Sequence, residues 1–164
     1  MQNSIHVFTD GGCSPNPGTG AWGFVVVDGQ KKMFSNSGME KNTTNNRMEL
    51  RGILEALLFI ESQSVPRSFL VHSDSMLCVQ SLNEWAFKWK QRRWKKKKPL
   101  KNLDLIIPAF ELLHSMEHVK LKWVKGHSGN YWNDLVDGLC SEILFKEKKI
   151  CQQEEKLKTA FVEP

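Results

Sequence analysis

Five acidic side chains stand where several of them could share a cation: Asp10, Glu49, Asp74, and the close pair Asp134 and Asp137. Carboxylates held side by side repel unless a cation bridges them. A carboxylate set with no thiolate and few histidines suits a hard, oxygen-preferring ion, Mg²⁺ or Mn²⁺, better than zinc. Two such ions about 3.5–4 Å apart would activate a water on one side of a scissile phosphate and stabilise the leaving 3′ oxygen on the other. In-line hydrolysis of that kind leaves a 5′-phosphate and a 3′-hydroxyl and needs no serine or cysteine nucleophile. Cys13, Cys78, Cys140 and Cys151 are scattered without a CxxC pair, which argues against a zinc cluster and against a secreted disulfide framework; they read as reduced thiols.

A polyanionic substrate is the reading of a second feature. The stretch "KWKQRRWKKKKPLK", residues 88–101, holds nine basic side chains, two tryptophans and no acid. Without those nine bases the chain has 14 basic against 18 acidic residues, so the positive charge is gathered in one place, as a nucleic-acid footprint requires. Lysine runs are often only solvated or targeting segments. Trp85, Trp89 and Trp94 recur through this one, and disordered tails are poor in tryptophan. Trp85 and Trp89, four apart, would share a helix face that packs the segment onto the body and leaves Lys90, Arg92, Arg93 and Lys95, Lys96, Lys97 and Lys98 outward toward phosphates. The run from Arg92 to Lys98 is expected to be its least fixed part.

These residues need elements to hold them. "IHVFTD" alternates apolar and polar residues, "AWGFVVVDG" ends in the hairpin signal Asp28-Gly29, and "QKKMFSNSGM" returns as a partner, so three antiparallel strands open the chain. "TTNNRMELRGILEALLFIESQS" changes to helical period after capping Thr and Asn residues, with Glu49 in its first turn. "SFLVHSD" reads as a short buried strand, "SMLCVQSLNEW" and "LKNLDLIIPAFELLHSM" as helices, the second with Pro108 as a kink or a late first turn. "HVKLKWVKG" gives a fifth strand and "NYWNDLVDGLCSEILFKEKK" a last helix. The order implies an α/β fold with a five-stranded mixed sheet, in which a helical crossover lets the fourth strand lie parallel to an earlier one. If that one is the first strand, Asp10 and Asp74 end neighbouring strands about 4.7–4.9 Å apart, at the edge where ligands of parallel pairs bind. Asp134 and Asp137, three apart, share much of a helix face, and spacing does not choose between them. Asp28 reads as a turn residue, Asp104 as a helix-start charge, and Glu55, Glu61 and Glu142 as solvated faces.

Length bounds the rest: 164 residues with 40% hydrophobic content make about one domain. No apolar run approaches a membrane span, and the start "MQNSIHVFTDGG" lacks a signal peptide's pattern, so a cytoplasmic protein is expected. The glycines of "GGCSPNPGTGAWG" lack the order of a phosphate-binding loop and lie between two strands; they make a turn open to a polynucleotide.

Taken together and in this order, "FTDGG" with "NPGTGAWG", "TTNNRMEL", "SDS", the tryptophan-lysine block, and "WVKGHSG" followed by "NDLVD" resemble a type 1 ribonuclease H of the cellular bacterial kind. The resemblance covers about residues 4–145. It implies a ribonuclease H-like fold and endonucleolytic cutting of the RNA strand of an RNA/DNA hybrid, in the service of removing RNA primers and hybrids, by a monomer. The family's last acid follows its loop histidine by ten positions, which from His127 selects Asp137. By the same resemblance Asp10, Glu49, Asp74 and Asp137 are the metal-binding carboxylates and His127 the mobile-loop histidine that assists proton transfer or product release; Asn133 is a polar neighbour. Cys13, in the loop after Asp10, with Asn16, Asn45 and Asn46, falls against substrate, and Thr44 near a DNA phosphate. The expected organisation is one catalytic domain over 1–145, a basic handle over about 85–101, and a segment 146–164 that extends the last helix and then frays. Three departures stand out: Met76 where relatives commonly carry Gln, Gly12 where Ser is frequent, and "NYWND" in place of a more polar segment. Two alternatives belong to other classes: a non-catalytic hybrid-binding module, which would usually lose an acid, and a related nuclease such as a reverse-transcriptase or transposase-like domain. The start at Met1 and the whole basic insertion favour a freestanding enzyme.

Overall fold

A computed structural model describes residues 3–161. Strand β1 (Ile5–Cys13) pairs antiparallel with β2 (Gly18–Asp28), which pairs antiparallel with β3 (Lys31–Thr43). Helix α1 (Asn45–Glu61) then crosses the sheet, so that β4 (Phe69–Ser73) lies parallel to β1 and β5 (Val119–Trp123) parallel to β4. The sheet order is β3-β2-β1-β4-β5, the five-stranded mixed sheet expected. The β2–β3 turn is Gly29-Gln30, with Gly29 at φ +62°; Asp28 closes β2 and also receives both guanidinium nitrogens of Arg67, so it is more than a turn residue.

"IHVFTD" does not behave as a half-exposed strand. Ile5 and Val7 face α1, while Phe8 is buried with Val25, Val27 and Val136 on the other face. That second face is covered by α5 (Tyr131–Ala160), and two covered faces leave no polar side for an alternation to mark.

Between β4 and β5 the chain is one continuous helical rod with a wider turn in its middle: α2 (Met76–Gln80), a π-helical turn (Ser81–Trp85) and α3 (Ala86–Gln91). Helix α4 (Leu103–Ser115) follows, paired with α1 on one face of the sheet. Pro108 is its sixth residue and so lies inside the helix, past the first turn. Helix α5 runs unbroken to Ala160, and every residue from Lys148 to Phe161 is exposed; the expected fraying of 162–164 lies outside the described residues. Among the described residues no helix is long and apolar enough to cross a membrane.

Candidate active site

The last parallel pair of β1 and β4 is Thr9↔Ser73, so Asp10 and Asp74 are the next residue on each strand and stand side by side at the carboxyl edge. Helix α1 supplies Glu49. It is the fifth helical residue, in the second turn and not the first, because the cap is Thr44, whose hydroxyl accepts from the Arg47 amide at 3.3 Å. One carboxylate oxygen from each of Asp10, Glu49 and Asp74 lies within 4.8 Å of the others. Asp137 lines the same cleft, of about 330 Å³, within hydrogen-bonding reach of Asp10. Asp134 is exposed, and at three residues' separation the rotation of about 300° is enough to turn it off the cleft.

The close approach of α1 to β1 is made by a glycine. A Cβ on Gly11 would fall inside the main chain of Met48 and Glu49, so only a bare Cα lets the helix seat beside Asp10. Gly126 does the same for the His127 loop: its Cβ would lie 2.8 Å from Asp74 Oδ2. His127 itself is exposed at φ +51°, with Gly129 at +83°, and it lines the same cleft as the carboxylates.

Electrostatics demand a counter-charge here. Asp10 is 5% exposed, and burial, then Asp74 and Asp137, raise its pKa from 3.8 to about 8. Burial and the charges of Asp10 and Asp74 push Glu49 well above the usual carboxylate range; burial and Asp137 push Asp74 up, partly offset by His127 and Asn133. Glu49 Oε2 is buried without a hydrogen-bond partner. An all-oxygen donor set with one orphaned buried oxygen fits a hard divalent cation held by Asp10, Glu49 and Asp74, with Asp137 alongside.

A stability prediction follows from these directions. An acid whose folded pKa is raised costs nothing below its unfolded value and destabilises increasingly as pH rises through the folded one. In EDTA the parent should therefore lose stability between about pH 4 and pH 8 relative to Asp10→Asn, and millimolar Mg²⁺ should reverse the loss at pH 8. Thermal midpoints of both proteins at pH 5 and pH 8, with EDTA and with Mg²⁺, measure this; parallel pH profiles would contradict it.

The family model described as RNase H matches residues 2–144. The chain belongs to the RNase H family. A ribonuclease H of Herminiimonas arsenicoxydans is 39% identical over 141 residues, covering 84% of this chain and 92% of that protein. A ribonuclease HI of Pasteurella multocida is 40% identical over 141 residues, covering 85% and 88%. Among solved structures, LC9-RNase H1, a type 1 RNase H with the type 2 active-site motif, is 27% identical with a TM-score of 0.72, covering 87% of this chain and 72% of that one.

Around the RNase H acids, the polar residues form a second cluster at the start of α1. The Cys13 amide donates to Asn45 Oδ1 at 2.6 Å, and the Asn45 amide to Asn16 Oδ1 at 3.2 Å; Asn45 and Asn46 are exposed beside the cleft. Cys13 is the last residue of β1, not a loop residue, because the strand continues past Asp10 in its pairing with β2. Thr44 is occupied by its capping bond.

The basic segment is anchored differently from the expectation. Trp89 and Trp94 pack against the core, and Trp94 meets Phe110 edge-on at 5.9 Å. Trp85 is exposed and lies against Trp89, ring centroids 6.2 Å apart. Arg92 to Lys95 form a defined turn, with the Trp94 amide on the Trp89 carbonyl at 2.7 Å. Lys90 is tied to Glu111 at 2.9 Å, whereas Arg92, Arg93 and Lys95 to Lys98 are exposed.

Two neighbours of the site had no signal in the sequence. Trp123 donates its indole N–H to the Asp74 carbonyl at 3.1 Å, and the Cys140 thiol lies 3.7 Å from the Asp10 carbonyl. Both contacts exist only through strand order and the docking of α5.

Proposed function

We propose that this chain is an endonuclease that hydrolyses the RNA strand of RNA/DNA hybrids, acting as a cytoplasmic monomer in the removal of RNA primers and hybrids. The observation that carries the reading is the convergence of Asp10, Glu49, Asp74 and Asp137 from two strands and two helices on one cleft. Membership of the RNase H family supports it.

In this reading Asp10, Glu49, Asp74 and Asp137 hold two divalent ions, Mg²⁺ or Mn²⁺. The ions supply activation of the attacking water and charge relief for the leaving 3′ oxygen, giving a 5′-phosphate and a 3′-hydroxyl. His127, on a loop free to swing about Gly126 and Gly129, accepts or returns a proton at the cleft mouth. Asn16, Asn45 and Asn46, with the Cys13 segment they brace, present donors and acceptors to minor-groove edges and 2′-hydroxyls, and Thr44 at the α1 N-terminus faces a DNA phosphate. The domain comprises 1–145, and the handle over about 85–101 grips phosphates through Arg92, Arg93 and Lys95 to Lys98. Trp89 and Trp94 hold it in place, Trp85 is free to touch substrate, and Lys90 acts only after leaving Glu111.

Cleavage of labelled RNA/DNA hybrid, double-stranded DNA and double-stranded RNA, each with Mg²⁺, with Mn²⁺ and with EDTA, tests the proposal. RNA-strand cutting confined to the hybrid and abolished by EDTA is expected; cutting of DNA, or undiminished cutting in EDTA, would overturn it. For the handle, replacing Lys95 to Lys98 with Ala should raise KM and lower the salt slope of log affinity by about 0.9 for each lysine that neutralises a duplex phosphate. An unchanged slope would remove these lysines from the interface.

A further inference from the structure

Half of one sheet face is left open. Helix α5 lies across β1, β2 and the margin of β3, and on that face β4 and β5 present Leu70 and His72, half exposed, and Lys120 and Lys122, exposed. The parallel register arranges these in rows: His6, Leu70 and Lys120 form one, and Phe8, His72 and Lys122 the next. The row after that holds Asp10 and Asp74. Alternate residues of a strand are about 6.6 Å apart, so Lys122 stands one row from the acids and Lys120 two, each on the strand beside β4. Lys125 is exposed on the loop that carries His127.

Among the described residues none of Lys120, Lys122 and Lys125 forms an ion pair. Glu117 lies beside Lys120 at one end of the face, and Asp10 and Asp74 stand at the other. His72 is stacked on Phe8 at 4.5 Å and hydrogen-bonded to His6 at 2.8 Å, which makes a floor of stacked rings bordered by exposed ammonium groups. The handle cannot serve this side, since Trp89 and Trp94 fix it in the layer of α1 and α4, on the opposite face of the sheet.

From this placement we infer that the open face of β4 and β5 is a second phosphate-holding surface, which takes the backbone of the nucleic-acid strand as it runs off the acid cleft. The inference rests on the hybrid-nuclease reading. Continuity with the cleft, the row spacing and the charge together favour a phosphodiester backbone over an acidic protein segment.

Binding measured in EDTA, where no cutting occurs, tests it. The parent, Lys120→Ala/Lys122→Ala and Lys120→Gln/Lys122→Gln would be titrated across a salt series with a short blunt hybrid. The same hybrid would then be extended at either end by about ten nucleotides, as single strand or as duplex. The salt slope of both variants should fall by about 1.4 on a single-stranded extension or about 1.8 on a duplex one, with no change on the blunt hybrid. The two forms of extension distinguish the source of the phosphates. Equal slopes for parent and variants on every extended substrate would overturn the inference, and so would an equal loss on the blunt hybrid, which would place the lysines inside the primary grip. A parent that binds hybrid but never cleaves it would defeat the proposed function while leaving an extension-dependent slope intact as support for this surface.

Discussion

Asp10→Asn should lower turnover of an RNA/DNA hybrid by about 10³-fold with Mg²⁺ present, while hybrid binding in EDTA stays within about threefold of the parent. Asn keeps the size and one oxygen of the side chain but removes the charge that draws a cation to the cleft. Asp10 is buried and lies within reach of both Glu49 and Asp137, so its loss also disturbs the two helices' contributions. The basic handle is untouched, which is why binding survives. The same substitution should raise the thermal midpoint of the metal-free protein at pH 8, because it removes a buried charge that repels Asp74, Asp137 and Glu49. Turnover within about tenfold of the parent would count against Asp10 as a metal ligand.

Gly11→Ala should destabilise the fold by about 3 kcal/mol, on the order of 10 °C in thermal midpoint, and lower activity of the folded fraction by about 10²-fold. The added methyl meets the main chain of Met48 and Glu49, which is not a flexible tip that can turn aside. Helix α1 must retreat, and Glu49 retreats with it from Asp10 and Asp74. Gly12→Ala is the control: the nearest atom to its new methyl is Leu144 Cδ1 at 3.8 Å, an ordinary contact, so stability should change by less than about 0.5 kcal/mol. Urea denaturation of the two variants, with hybrid cleavage measured on the folded protein, separates them. Similar stability losses for both would mean that the seating of α1 does not depend on the bare Cα at position 11.

The strand and helix order and the likeness to ribonuclease H were legible in the chain, because periodicity and short motifs are local; that the fourth strand lies beside the first was a supposition that the fold decided. Asp10 and Asp74 could be brought together on paper because each closes a strand, and strand ends are marked by residue pattern. The rest depended on rotation about an axis or on contacts between distant segments. Asp134 and Asp137 differ only in the angle at which α5 docks, and chain spacing left them equal until the likeness to the family or the fold chose Asp137. Trp85 and Trp89 look equivalent at four residues apart, yet only Trp89 packs against the core, and Trp94 joins it there once the chain turns back after α3. The hydrogen bond from Trp123 to residue 74 spans 49 positions, and the two lysines on β5 matter only because α5 stops short of covering them. Which acids and bases the protein owns is written in its residues; which of them meet, and which stay open to a ligand, follows from packing, where a single methyl or a quarter turn of helix changes the answer.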